Sequence, residues 1–252
     1  MSKPKILVMD IETSPNLGYV WGKWEQDVIE FVDEWHVLSF AYKWLGETQT
    51  RCVALSDFKR YKTHPEDDSC VVGALKALLD EADVVVAHNG DRFDIKKVNA
   101  RLAYHGMGPT RPYKTVDTLK VAKKYFAFNS NKLDDLGEYL GLGRKVKHEG
   151  FGLWLSCMQG DTKAWKRMKA YNIQDVILLE KLYYKLLPWM SQHPNLAMYD
   201  SMACPKCGKN CLTKNGIRTT QTTQYQQMIC TNCGGYARAT VAMKIDKPLF
   251  TN

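Results

Sequence analysis

The chain has 252 residues, 45% hydrophobic and 25% charged, with eight cysteines and a formal charge of +8. That balance allows one sizeable core with a small appendage and excludes wholesale disorder. No apolar run reaches the roughly 18 residues that a membrane-spanning helix needs. The opening MSKPKILVMD passes straight into a strand-like run without a signal-peptide layout, so a cytoplasmic protein is expected. The charge is uneven: residues 201–252 hold seven Lys and Arg against one acid, a net of +6, which leaves +2 for the first 200 residues. A basic tail on a nearly neutral body fits a polyanionic partner, most simply nucleic acid, although a merely soluble surface has the same composition.

Residues 5–12 read as a buried strand, an apolar run ending in acids. Residues 19–45, rich in Trp, Val, Phe and Tyr and broken near Glu34, fit two strands, and Arg51–Leu55 fits a third. A polar, turn-rich stretch over 56–69 precedes a helix over 70–82 and a short buried strand over 83–88. FDIKKVNARLAYHG reads as a helix closed by Gly106. A brief strand at 113–117 and two short helices, TLKVAKKYF and LDDLGEYLGL, follow. Residues 143–160 read as a looser basic segment, and the longest helix runs from about Asp161 to Leu187, where Pro188 ends it. Strands alternating with helices predict an α/β domain over 1–187, and the consecutive early strands predict a mixed sheet. Residues 188–203, with Pro188 and Pro194, read as a linker to a small domain at 204–252.

Acidic residues at the ends of apolar runs carry most of the functional information, because a carboxylate there is costly unless something positive meets it. Residues two apart on a strand share a face, so Asp10 and Glu12 of ILVMDIET point the same way. A water-facing strand end would explain that pair by itself. Asp94 in VVVAHNGDRFD falls at a helix start, where an N-terminal cap is the ordinary use of Asp, and Asn89 and Gly90 suit a tight turn. In the long helix, Tyr171, Asp175, Leu178, Leu182 and Leu186 lie on one mostly apolar stripe. A core tyrosine and a buried salt bridge would account for the first two. Asp117 in VDTL reads more readily as a helix cap than as a further acid of the site.

The conjunction is more specific than its parts. Acid-x-acid in the first strand, Asn-x-x-x-Phe-Asp after a later strand and Tyr-x-x-x-Asp late in a long helix resemble the DEDDy branch of the DEDD 3′–5′ exonuclease superfamily. NKLDDLGEYLGL is also similar to a helix that this superfamily carries between its second and third motifs. The resemblance spans roughly residues 4–187. It implies a ribonuclease H-like mixed sheet with flanking helices. It also implies that Asp10, Glu12, Asp94 and Asp175 hold two Mg²⁺ or Mn²⁺ ions, oxygen-ligated hard cations suited to phosphodiester hydrolysis. By the same resemblance Tyr171 orients the attacking water, Glu12 contacts that water or the terminal 3′ hydroxyl, and Asn89 and Phe93 shape the terminal-nucleotide pocket. Basic residues Lys123, Lys124, Arg144, Lys145, Lys147, Lys166 and Arg167 are candidates to follow the phosphate backbone, though a solvated helix face explains each cluster nearly as well.

The tail has its own signature. Cys204-x2-Cys207 and Cys230-x2-Cys233, each followed by Gly, have zinc-ribbon spacing and predict one structural Zn²⁺, while Cys211 completes no knuckle. A disulfide reading is disfavoured in a cytosolic chain.

The expected activity is removal of nucleotides from 3′ ends of single-stranded DNA, either free-standing or as a proofreading subunit beside a DNA polymerase or other replication protein. The layout is similar to small bacteriophage exonucleases, which would place the protein in a host cytoplasm. RNA 3′ ends are the close competitor, since nothing in the motifs reads the sugar. A non-catalytic replisome adaptor and an endonuclease on the same fold are the rival classes. The intact acids speak against the first and the Tyr-x-x-x-Asp helix against the second.

Overall fold

The computed structural model describes residues 3–24, 27–146 and 149–244. The chain divides into two compact units, one of Lys5–Leu182 and one that begins at Tyr183. The first contains β1 (Ile6–Thr13), β2 (Leu17–Tyr19), β3 (Glu30–Asp33), β4 (Val37–Trp44), β5 (Arg51–Ala54), α1 (Ser69–Glu81), β6 (Val84–Ala87), α2 (Asp94–Tyr104), β7 (Lys114–Asp117), α3 (Thr118–Tyr125), α4 (Leu133–Tyr139), α5 (Phe151–Met158) and most of α6 (Thr162–Leu186).

Five strands form one mixed sheet in the order β5-β4-β1-β6-β7. β4 runs antiparallel to β1 and β5 antiparallel to β4, whereas β6 and β7 run parallel to β1. The consecutive early strands make the antiparallel half, because short connections suffice there; in the parallel half α1 leads the chain back to β6 beside β1, and α2 is the crossover from β6 to β7. β1 is therefore central, flanked on both sides, and its Ile6–Met9 run is wholly buried. Leu7, Met9 and Ile11 pack in one cluster with Val71, Val72, Leu75 and Leu79 of α1 and Val98 and Leu102 of α2. Each such side chain contributes roughly 1.5–3 kcal/mol on burial. The alternation leaves Val8, Asp10 and Glu12 on the other face. Fully buried Asp68 ties this half together, accepting from Arg101 Nη2 at 2.6 Å and from Val37 N at 2.7 Å.

Residues 19–45 hold the two strands expected there, β3 and β4, broken near Glu34, while β2, which ends at Tyr19, pairs with β3 as a separate hairpin outside the main sheet. Two other stretches depart from expectation. Residues 143–160 are not uniformly loose: α5 lies within them, carried by the apolar run FGLWLSCM that buries Leu153 and Cys157. Residues 188–203 are not an extended linker. Met190, Leu196 and Ala203 are buried, Leu196 N bonds to Pro205 O at 2.9 Å, and Lys206 Nζ bonds to Pro188 O.

The second unit holds β8 (Leu212–Thr219), β9 (Gln224–Cys230) and β10 (Tyr236–Ala242), an antiparallel sheet in the order β10-β9-β8. No helix among the described residues is long and apolar enough to cross a membrane.

Candidate active site

β1 delivers Asp10 and Glu12 where its burial gives way, both half-buried beside fully buried neighbours. α6 delivers Asp175, 1% exposed, from the middle of its apolar stripe, with Tyr171, Leu178, Leu182 and Leu186 also buried. Ligand atoms of Asp10, Glu12 and Asp175 all lie within 4.8 Å of one another. Three carboxylates from positions 10, 12 and 175 thus converge as the sequence pattern requires.

Asp94 adjoins this trio without belonging to the same compact set. Its Oδ1 accepts from Ile11 N at 3.1 Å, so it grips the β1 backbone between the two acids rather than capping α2 with its side chain. Gly90 lets the turn before Asp94 close tightly on the end of β6: a Cβ there would fall 2.4 Å from Ala87 Cβ. Asn89 adopts a left-handed φ of 67°, and its N–H donates to Asp117 Oδ1 at 2.9 Å. Asp117 does act as a cap, accepting from Leu119 N and Lys120 N at the start of α3, and it also fixes the turn that carries Asn89. Phe93 is 39% exposed.

Two groups at the site, Asn172 and Trp154, were not singled out in the sequence, and a third, Lys145, was placed only among the basic candidates. Asn172, fully buried, donates to Asp10 Oδ2 at 2.7 Å and accepts from Ser39 Oγ at 3.1 Å. It sits inside YNIQD, next to the motif tyrosine, and a buried amide on the sheet-facing side of a helix was the available signal. Trp154 of α5 donates a side-chain hydrogen bond to Glu12, and its ring meets that of Tyr171 edge-on at 5.8 Å. Its signal was hidden with the helix that carries it. Lys145 reaches further in than a backbone-tracking role requires: Nζ donates to Asp175 Oδ2 at 2.6 Å and to Tyr171 OH at 3.1 Å.

The electrostatics follow from crowding. Burial, then the charges of Asp94, Glu12 and Asp175, hold the Asp10 carboxyl well above the usual carboxylate range. Burial and then Asp175 push Glu12 up to about 8, and burial brings Asp94 to about 7. Burial, Asp175 and Glu12 raise the Tyr171 phenol. Burial opposes the positive charge of Lys145, but Asp175 and Tyr171 outweigh it and raise its pKa. A cluster of oxygen donors that would otherwise need protons near neutral pH fits one or more hard divalent cations.

Of the trio, Asp10 lines a cleft of 670 Å³, together with Asn89, Lys123, Asn131, Lys132 and Lys145. The other basic candidates among the described residues do not line it. Arg144 pairs with Asp134 and Glu138, Arg167 pairs with Glu149 at 2.6 Å, Lys124 lies over the Tyr125 ring, Lys166 is exposed, and Lys147 falls outside the described residues. His88 also lines the cleft, with Nε2 donating to Asn131 O and Nδ1 2.9 Å from Thr118 Oγ1.

In the second unit, ligand atoms of Cys204, Cys207, Cys230 and Cys233 also lie within 4.8 Å of one another. Sγ atoms are 3.8 Å apart for Cys204–Cys233 and 3.6 Å for Cys207–Cys230, too far for disulfides and close to the roughly 3.8 Å edge of a tetrahedron with 2.3 Å metal–sulfur bonds. Two matching turns build the site. Gly208 N bonds Cys204 O at 2.9 Å and Gly234 N bonds Cys230 O at 2.8 Å, with both glycines at positive φ. Backbone N–H groups of Lys206 and Cys207 point at the Cys204 sulfur, and those of Asn232 and Cys233 at the Cys230 sulfur. Such donors stabilise thiolates, the form a soft metal binds. Cys211 stays outside the cluster.

The sequence profile of the RNase_H superfamily matches residues 38–187. That span includes Asp94, Tyr171 and Asp175 but begins after β1, whose place between β4 and β6 joins Asp10 and Glu12 to the same sheet. Among solved structures the chain is similar to the family B DNA polymerase of the hyperthermophilic archaeon Pyrobaculum calidifontis, with a TM-score of 0.55 and 18% identity. The similarity covers 75% of this chain and 25% of that one, so the shared part is the fold of one region of the polymerase. No curated protein matches the sequence.

Proposed function

Since the chain belongs to the RNase_H superfamily, we propose that it is a metal-dependent 3′–5′ exonuclease acting on single-stranded DNA ends. The observation that carries this reading is the convergence of Asp10, Glu12 and Asp175 within 4.8 Å of one another, with Asp10 lining an open cleft. Exonuclease polarity is supported by the order of the motifs, with Tyr171 one turn before Asp175.

Asp10, Glu12 and Asp175, with Asp94 beside them, are the residues that would hold two Mg²⁺ or Mn²⁺ ions. When bound, such ions supply an activated water and charge stabilisation for the leaving 3′ oxygen. The chain's own residues do the rest. Asn172 fixes the Asp10 carboxylate, and Trp154 fixes Glu12. Asp94 holds the Ile11 amide and so sets the spacing of the two β1 acids. Tyr171, its phenol raised by burial, keeps its proton at neutral pH and so can orient water but not deprotonate it. Lys145, paired with Asp175 at 2.6 Å and lining the cleft, supplies a positive charge for a substrate phosphate. Asn89, which lines the cleft, and partly exposed Phe93 are the residues that would shape a pocket for the terminal nucleotide. The four clustered cysteines would hold one structural Zn²⁺, which lets a segment too small for its own core fold. We take the zinc-binding segment to be a module separate from the catalytic one.

A DNA oligonucleotide labelled at its 5′ end tests the reading. Stepwise shortening from the 3′ end in Mg²⁺ or Mn²⁺, abolished by Asp175→Asn, is the expected result; internal cuts, or binding without shortening, would refute it. A matched RNA oligonucleotide resolves the sugar preference.

A further inference from the structure

Two surfaces of the described chain expose several aromatic side chains, and charge separates them. On the β2–β3 hairpin Trp21 and Trp24 are 87% and 83% exposed, but residues 17–34 carry five acids against Lys23, which repels a polyanion. The sheet of β8, β9 and β10 is the opposite case: residues 201–244 contain six Lys and Arg and no acid.

Strand register sorts its side chains. Arg218 pairs with Tyr225, Arg238 with Gln227 and Tyr236 with Ile229, and alternate positions of β9 share a face, so Arg218, Tyr225, Gln227, Tyr236 and Arg238 all project from one side. The Arg238 guanidinium lies 4.1 Å from the Tyr225 ring centre, which places both on that side independently. Tyr236 is 53% exposed, and both arginines are exposed. Lys214, paired with Met228, belongs to the other side.

We propose that this face is a binding site for single-stranded nucleic acid, separate from the catalytic cleft, in which Tyr225 and Tyr236 stack on bases and Arg218 and Arg238 pair with phosphates. Planar, cationic side chains interleaved on an open sheet recognise the features common to every nucleotide, a ring face and an anionic linkage. The choice of ligand rests on the chain acting on nucleic acid, but the site does not depend on hydrolysis.

The test uses the full chain with Asp10→Asn, which keeps the probe intact, and a fluorescent 20-nucleotide oligothymidylate followed by anisotropy. Adding Arg218→Ala and Arg238→Ala is expected to weaken binding about tenfold and to flatten the salt slope by about 1.4, the share of two phosphate contacts. Tyr225→Ala should cost about tenfold as well, and Lys214→Ala, the loss of one positive charge on the other side, less than about threefold. Unchanged affinity in the double variant, or an equal loss from Lys214→Ala, would overturn the proposal. Photo-crosslinking of an iodouracil oligonucleotide to the unsubstituted sheet gives a readout independent of any folding defect. Adducts on peptides containing Tyr225 or Tyr236 are expected, and adducts confined to residues 5–182 would overturn it. Turnover of a small thymidine phosphodiester by the same surface variants with Asp10 intact reports on the exonuclease separately, and should match the parent chain.

Discussion

At the scale of single residues, the site is organised by the conflict between its carboxylates. Glu12 is raised in the folded chain from an ordinary value of 4.5 to about 8. Between those values the unfolded chain has released the proton and the folded chain still holds it. The stabilising contribution of the protonated group is therefore fully present below about 4.5 and is lost as pH rises through about 8. Asp10 and Asp94 shift in the same direction. Without divalent metal, the melting temperature should fall from pH 5 to pH 8, Glu12→Gln should flatten that fall, and Mg²⁺ should restore stability more at pH 8 than at pH 5. A metal-free melting temperature that rises over this range would contradict the shift. Asn172 offers a second test, since only Asn172 ties α6 to the Asp10 carboxylate among the described contacts. Asn172→Ala is expected to raise the Mn²⁺ concentration for half-maximal activity by about 10–100-fold, the usual effect of removing a group that orients a ligand. An unchanged metal titration would show that Asn172 only fills space.

At the scale of elements, legibility followed the range of the interaction that decides each feature. The period of two in ILVMDIET and the i, i+4 stripe of α6 are local, so the common face of Asp10 and Glu12 and the burial of Asp175 could be read directly. The two cysteine knuckles were legible for the same reason. Long-range partners were not. Lys145 and Asp175 are 30 residues apart and meet only because the chain after α4 folds back over α6, so sequence spacing placed Lys145 merely among basic residues. α5 was missed because glycines at 150 and 152 flank its first residue and mask a short apolar helix. α4 makes the return of the chain testable. A Cβ on Gly137 would fall 2.6 Å from Gly143 O and 2.9 Å from Leu178 Cδ1, so the helix approaches both backbone and α6 closely. Gly137→Ala, although favourable to an isolated helix, is expected to destabilise the fold by about 1–3 kcal/mol through overpacking. A urea midpoint equal to or above that of the parent chain would show that the contact is loose.

At the scale of the molecule, the charge asymmetry visible in composition corresponds to a structural division. The acidic residues that converge lie in the unit ending at Leu182, and the acid-free stretch 201–244 lies in the other. The hairpin is acidic and apolar at once, which no count over the whole chain reveals. The central claim is that side chains remote in sequence come together to hold divalent metal. Anomalous diffraction from crystals grown with Mn²⁺ measures this most directly. The account predicts manganese peaks coordinated by Asp10, Glu12 and Asp175, lost in Asp10→Asn. Manganese absent from that trio at saturating concentration, or bound equally without Asp10, would contradict it.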